Sequence, residues 1–279
     1  MLYIQYEFET IEANQKDVLI ALLSTIGFDG FEEVDNHFLK AFIVEPNFNQ
    51  LAFNEVIENF DNIVYNVSSI ENINWNQQWE QSFEPIIVPS KNNHIPFAAI
   101  RASFHKPITN VTYELIVTPK MSFGTGHHAT TFMVIQLMEQ IDCVNKSVID
   151  FGTGTGVLAI LAEKMGANFI KAIDNDEWSI TNTIENVEQN NCTHIQVEPV
   201  QAMPANHQYE IIIANINLNV IKENILAIKA ACKQGSNLIF SGFLFTDEPA
   251  MLQVLAQNQL THVATIQKGD WIAMHAISQ

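Results

Sequence analysis

The stretch Val148-Ile149-Asp150-Phe151-Gly152-Thr153-Gly154-Thr155-Gly156-Val157-Leu158-Ala159-Ile160 reads as a buried strand, a glycine loop and the first turns of a helix. Glycines at 152, 154 and 156 remove Cβ atoms that would keep backbone N–H groups away from a ligand at the helix N-terminus, which makes the stretch a cradle for a nucleotide-like group. Outward from it, strands and helices alternate. Phe169 to Ile173 reads as the next strand and ends in Asp174. A helix is expected from Glu177 to Asn190, a strand from Tyr209 to Ala214, a helix from Leu218 to Lys233, a strand from Asn237 to Ser241 and a helix from Glu248 to Gln257. Two closing strands, His262 to Gln267 and Trp271 to Ala276, read as antiparallel. This order predicts a doubly wound, mostly parallel sheet with its ligand at the carboxyl ends of the strands.

The glycine spacing narrows the ligand. A dinucleotide fingerprint places its third glycine as G-x-G-x-x-G, but Val157 occupies that position and the third glycine comes one place early, at 156. The resulting G-x-G-x-G pattern is associated with S-adenosylmethionine, an adenosine without phosphates. Asp174 stands at the end of the next strand, where a carboxylate accepts both ribose hydroxyls. Asn215 follows the Tyr209 to Ala214 strand, and its amide both donates and accepts, suiting a cofactor or an incoming amine. A turn-forming Asn would also fit there.

Charge bears on the partners. The net charge of the 279-residue chain is −18, and residues 1 to 90 hold 15 acidic residues against Lys16 and Lys40 alone. The remainder holds 16 acidic against 11 basic residues. Such acidity favours solubility and attracts a basic protein partner. Arg101 is the only arginine, so the bidentate contacts on which nucleic-acid readers rely are nearly absent and no direct nucleic-acid readout is expected. Cys143, Cys192 and Cys232 show no C-x-x-C spacing, which indicates neither a disulfide framework nor a zinc knuckle. No apolar run is long enough to cross a bilayer and the first residues lack the basic start of a signal peptide, so a cytoplasmic protein is expected. Nothing in the sequence suggests an obligate assembly, and a monomer is the expectation.

The first 70 residues read as a separate module. Leu2, Ile4, Tyr6 and Phe8 alternate with polar residues as in a strand. A helix follows, with Asn14 as N-cap and Gly27 as C-cap. Strands near Phe31 to Val34 and Phe38 to Val44, a helix from about Asn49 to Phe60 and a strand from Ile63 to Ile70 complete a β-α-β-β-α-β order. That order predicts a small α+β ferredoxin-like domain. In residues 71–83, Trp75, Trp79 and Phe83 recur every four residues, as on one buried face of a connecting helix. Residues 84–279 hold the sheet domain. There, Ile86 to Pro89, Phe97 to Phe104 and Tyr113 to Thr118 are extended segments, and a helix runs from about Thr131 to Gln140.

Four stretches carry a resemblance to a known family: Phe123-Gly124-Thr125-Gly126-His127-His128-Ala129-Thr130-Thr131, the loop from Asp150 to Ile160, Ile173-Asp174, and Ala214-Asn215-Ile216. The chain resembles the bacterial ribosomal protein L11 methyltransferases (PrmA), and the likeness spans roughly residues 70 to 279. The resemblance implies a class I methyltransferase-like sheet behind a ferredoxin-like substrate-recognition domain at residues 1–70. It also implies S-adenosylmethionine as cofactor, held by Thr131, Gly152, Asp174 and Asn215. Methyl transfer to lysine and/or N-terminal amines of a basic, large-subunit ribosomal protein follows as the expected activity. Asn215-Ile216-Asn217-Leu218 is not the N-P-P-Y of glutamine or DNA amino methyltransferases. The alternatives are a methyltransferase of another basic protein or of a small molecule, and a cofactor-binding module without turnover.

The reaction expected is direct displacement, with nitrogen and methyl held in line at roughly 3 to 3.5 Å. A lysine must first lose its proton, at a cost of about 4.6 kcal/mol at pH 7. The amine pocket is therefore expected to be apolar or amide-lined, with Phe123 and Asn215 as candidates. No residue is assigned as general base and no metal is expected. His127 and His128 are adjacent, project differently and have no partner ligands nearby in sequence, so they are read as shaping their loop.

Overall fold

The computed structural model of the chain describes residues 2–9, 13–33, 39–60, 63–71, 84–118, 128–204 and 207–279. The chain divides into two compact units, Met1–Gln81 and Ser82–Gln279.

In the first unit, β1 (Leu2–Glu9), α1 (Ala13–Thr25), β2 (Gly30–Glu33), β3 (Leu39–Val44), α2 (Gln50–Ile57) and β4 (Val64–Glu71) follow one another. The strands lie in the order β2-β3-β1-β4 with every neighbour antiparallel, which is ferredoxin-like topology. The expected alternation in β1 puts Tyr6 and Phe8 into an aromatic core, where the Tyr6 and Phe53 rings are 4.3 Å apart. Burial, helped by nearby Tyr65, pushes the Tyr6 hydroxyl up to about 12. Asn49 caps α2 by accepting from the N–H groups of Leu51 and Ala52. At the end of α1, Phe28 N–H donates to Leu23 O and Gly27 N–H to Ser24 O, the paired bonds of a glycine-terminated helix. The Asn14 side chain and the segment holding Trp75, Trp79 and Phe83 lie outside the described residues.

The second unit begins with β5 (Ile86–Val88), β6 (Ala98–Arg101) and β7 (Tyr113–Ile116), a three-stranded sheet, followed by α3 (Ala129–Met138). The alternating region comprises β8 (Ser147–Phe151), α4 (Val157–Lys164), β9 (Phe169–Asp174), α5 (Glu177–Gln189), β10 (Ile195–Pro199), β11 (Tyr209–Asn215), α6 (Leu218–Ala230), β12 (Cys232–Leu244), α7 (Glu248–Gln257), β13 (Leu260–Lys268) and β14 (Trp271–Ser278). Its seven strands are ordered β10-β9-β8-β11-β12-β14-β13. The first five are parallel, and β14 runs antiparallel between β12 and β13. Consecutive residues of β8 serve opposite faces: Val148 packs into one apolar cluster and Ile149 into the other. A strand covered on both sides reads as the continuous apolar run seen in the sequence.

The doubly wound, mostly parallel sheet and the antiparallel closing pair are borne out, with local differences. β10 was not anticipated, because this half-buried strand of five residues is short and ends in Pro199. The helix expected to run to Lys233 stops at Ala230, since Cys232 already pairs with Tyr209 as the start of β12. No helix among the described residues is long and apolar enough to cross a membrane.

Candidate active site

The chain winds outward from β8 to β9 and β10, then returns to place β11 on the other side of β8. Two loops that leave in opposite directions open a crevice at the carboxyl ends of these strands. A cavity of about 570 Å³ lies there, a size that suits a nucleoside-like ligand rather than a single ion. Thr131, Gly152, Asp174 and Asn215, drawn from four separate stretches, all line it. Phe123 and His127 lie outside the described residues.

The glycine loop departs from the expectation that its N–H groups are left for a ligand. The N–H groups of Gly152 and Thr153 both donate to Ile173 O at 2.9 Å, and that of Gly156 donates to Thr153 O. Gly154 N–H donates to Asp174 Oδ2 at 2.9 Å. Two of the glycines permit close approach within the protein instead. At Gly152, with φ +78°, a Cβ would overlap Ile216 Cγ2. At Gly156, with the same φ, it would lie 2.7 Å from Thr183 Cγ2. Gly152, Thr153 and Gly154 thus offer the cavity a smooth, prearranged main-chain wall.

Asp174 is held from both sides, Oδ2 by Gly154 N–H and Oδ1 by Asp176 N–H at 3.1 Å. Each oxygen keeps lone-pair capacity for a further donor. Asp176 caps α5 by accepting from Ser179 N–H and Oγ, bonds that hold its carboxyl below the usual range. Behind the loop, Asp150 is fully buried and accepts from Thr153 Oγ1 at 2.7 Å, while its Oδ1 has no hydrogen-bond partner among the described residues. Burial above all, reinforced by the charge of Asp174, pushes this carboxyl up to about 7 against the opposing bonds from Thr153 and Ala159.

Across the cavity, Asn215 Nδ2 donates to Thr131 Oγ1 at 3.2 Å. Its Oδ1 is buried without a hydrogen-bond partner among the described residues. An amide oxygen left in that state costs free energy until a donor reaches it, which marks a place for a ligand N–H or O–H. His128 caps α3, with Nδ1 2.7 Å from Thr130 Oγ1. Its ring meets that of Trp271 edge to face at 4.6 Å, and both rings line the cavity.

The lining fits S-adenosylmethionine better than a dinucleotide. Among the described residues it contains Asp174 and Asp176 and neither lysine nor arginine. Phosphates would find no cation there, whereas a phosphate-free ligand carrying a sulfonium and an ammonium meets complementary charge. Arg101, the lone arginine, is buried in the three-stranded sheet and committed to Glu114 and to the carbonyls of Ala102 and His105.

Sequence reasoning did not reach Asp176 or the placement of Trp271 against His128. Asp176 had a local signal, an acidic residue just ahead of an expected helix. Trp271 and His128 lie too far apart in the chain for either to announce the other.

A model of the family described as ribosomal protein L11 methyltransferase (PrmA) matches residues 12–279. The ribosomal protein L11 methyltransferase of Phocaeicola vulgatus is 34% identical over 286 residues, covering 99% of each chain. That of Porphyromonas gingivalis is 35% identical over 289 residues, covering 98% of this chain and 97% of its own. Among solved structures, the ribosomal protein L11 methylase of Lactobacillus delbrueckii subsp. bulgaricus superposes with a TM-score of 0.61 at 26% identity. That match covers 65% of this chain and 95% of the other.

Proposed function

Because the chain belongs to the ribosomal protein L11 methyltransferase (PrmA) family, we propose that it transfers methyl groups from S-adenosylmethionine to lysine and/or N-terminal amines of ribosomal protein L11. The cofactor supplies a methyl group made electrophilic by its sulfonium. Thr131, Gly152, Asp174 and Asn215 would hold it, with Asp174 placed to accept from ribose hydroxyls. The observation that carries the reading is the buried, unpartnered Oδ1 of Asn215, fixed by the bond from Nδ2 to Thr131.

An acceptor at that point takes one N–H of a neutral amine and so orients the nitrogen lone pair. An amide does this without the cost a carboxylate would bring, since an anion beside the amine raises its pKa and favours the unreactive ammonium. Trp271 and His128 add aromatic wall on the same cavity and help to exclude water. Phe123 completes the amine pocket in this reading.

The first unit is the recognition element. Its acidic excess, 14 acidic residues against two basic ones within residues 1 to 81, complements a basic ribosomal protein. The chain works as a monomer and makes no direct nucleic-acid contact in this reading.

The test is incubation with methyl-labelled S-adenosylmethionine and a ribosomal extract, with full-length protein compared against protein lacking residues 1–70. One dominant labelled polypeptide, identified by mass and lost on truncation, is expected. Label on other proteins alone, or label unchanged by truncation, would overturn the acceptor assignment or the recognition role respectively.

A further inference from the structure

We infer that Thr183 and Asn186, neighbours on the buried face of α5, are positioning residues that set the shape of the glycine loop for the cofactor while touching neither cofactor nor acceptor. Neither residue is among those lining the cavity. Both are fully buried, and each donates to one loop carbonyl, Thr183 Oγ1 to Gly154 O and Asn186 Nδ2 to Thr155 O, both at 2.8 Å, with a longer second bond from Asn186 Nδ2 to Asn182 Oδ1 at 3.4 Å.

A peptide group is planar, so fixing its carbonyl fixes the whole unit. Two successive peptide planes of the loop are therefore tied to α5 rather than left to the three glycines, whose own backbones tolerate many arrangements. The tie extends to the ligand side. Gly154 has its carbonyl on Thr183 and its N–H on Asp174, so a loop that turned over would release the Asp174 carboxylate as well. The methyl of Thr183 also lies over Gly156, where an added Cβ would come within 2.7 Å. The early third glycine is thus bare because this threonine packs on it. Asn186 works in both directions, since its Oδ1 accepts Thr118 N–H at 2.7 Å.

An internal control stands at Asn190, the residue that ends α5. Its side chain accepts from Ile116 N–H at 3.0 Å and donates to Ile116 O at 2.6 Å and to Asn186 O at 2.8 Å, but makes no bond to the glycine loop. General loosening of this helix follows substitution of either asparagine, whereas loss of the loop's shape follows substitution of Thr183 or Asn186 alone.

The inference rests on the S-adenosylmethionine reading of the cavity, and calorimetric binding of S-adenosylhomocysteine tests it without any acceptor or turnover. Thr183→Val and Asn186→Ala are expected to raise the dissociation constant about tenfold, as loss of one buried hydrogen bond would. Thr183→Ser, which keeps the hydroxyl, should stay within about twofold of the unsubstituted protein. Asn190→Ala should do the same even where its melting temperature falls as far as that of Asn186→Ala. Equal weakening by Asn190→Ala and Asn186→Ala, or unchanged binding by Thr183→Val, would overturn the inference. If Asn186→Ala does not fold, the Thr183→Val and Thr183→Ser pair decides. Failure of the unsubstituted protein to bind would instead overturn the cofactor reading on which the inference rests.

Discussion

Asn215 Nδ2 donates to Thr131 Oγ1 at 3.2 Å, joining the end of β11 to the first turn of α3 and leaving one buried amide oxygen on the cavity. If that bond aims the amide, its two partners act as a unit. Asn215→Ala should lower kcat/KM by about 10² to 10³-fold, the usual scale for a positioned polar group in a reaction site. Thr131→Val should lower it about tenfold. The double substitution should be no worse than Asn215→Ala, and steady-state kinetics of the four proteins measures the coupling. Fully additive losses would show that Thr131 acts independently.

Asn215→Asp separates shape from charge. The side chain keeps its size while an anion replaces the amide beside the amine, so the acceptor's pKa rises. The rising limb of the pH profile for kcat/KM should move to higher pH, with activity partly recovered above pH 9. A uniform loss at every pH would argue that Asn215 does not contact the acceptor.

Gly152→Ala places a Cβ on a left-handed backbone and into Ile216. The backbone alone should cost about 1 to 2 kcal/mol, and the collision adds to it. Urea denaturation should show more than the backbone cost in Gly152→Ala. Adding Ile216→Ala to the same chain should return only the excess. If the second substitution recovers nothing, Ile216 moves aside freely and the collision is not a constraint.

Asp150 gives stability a pH dependence opposite to that of a salt-bridged carboxylate. Its carboxyl is raised from 3.8 to about 7, mainly by burial. Between these values the unfolded chain has lost the proton and the folded chain keeps it. Stability from this group therefore falls as pH rises across that window and levels off above it, with a slope of at most about 1.4 kcal/mol per pH unit. Asp150→Asn should flatten the slope between pH 4 and 7, measured by urea denaturation at each pH. An unchanged slope would assign it to other groups.

Glu210 runs the other way. The N–H and hydroxyl of Ser147, with Lys233 and Lys146, hold its carboxyl down at about 2, below its usual 4.5. The folded state then gains stability above pH 4.5 and loses it as pH falls through the window toward 2. Glu210→Gln should be less stable than the unsubstituted protein at pH 6, with the difference closing near pH 2, as followed by circular dichroism.

Much of this architecture was legible because its signals are local. The alternation of Leu2, Ile4, Tyr6 and Phe8, the apolar run before Gly152 and the placement of Asp174 and Asn215 after apolar strands each need fewer than a dozen residues to read. What was not legible depends on partners distant in the chain. Thr183 and Asn186 look like ordinary polar helix residues until Gly154 and Thr155 are brought against them. The glycines illustrate the same limit: their positions are plain in the sequence, but the sequence does not say that Ile216 and Thr183, rather than a ligand, occupy the space they leave. Trp271 meets His128 only because β14 is threaded antiparallel between β12 and β13, a placement set by the whole sheet.

The two hydrogen bonds between Asn190 and Ile116 also bear on the fate of β7. Among the described residues this strand borders the three-stranded sheet, with β6 on one side and no strand on the other. Unpaired main-chain groups along such a border are a template on which another extended chain can add. By taking both the N–H and the carbonyl of Ile116, the Asn190 side chain caps the border at that residue as a neighbouring strand would. A helix thereby supplies protection against aggregation, and substitution of Asn190 would expose a place for self-association even if the fold survived.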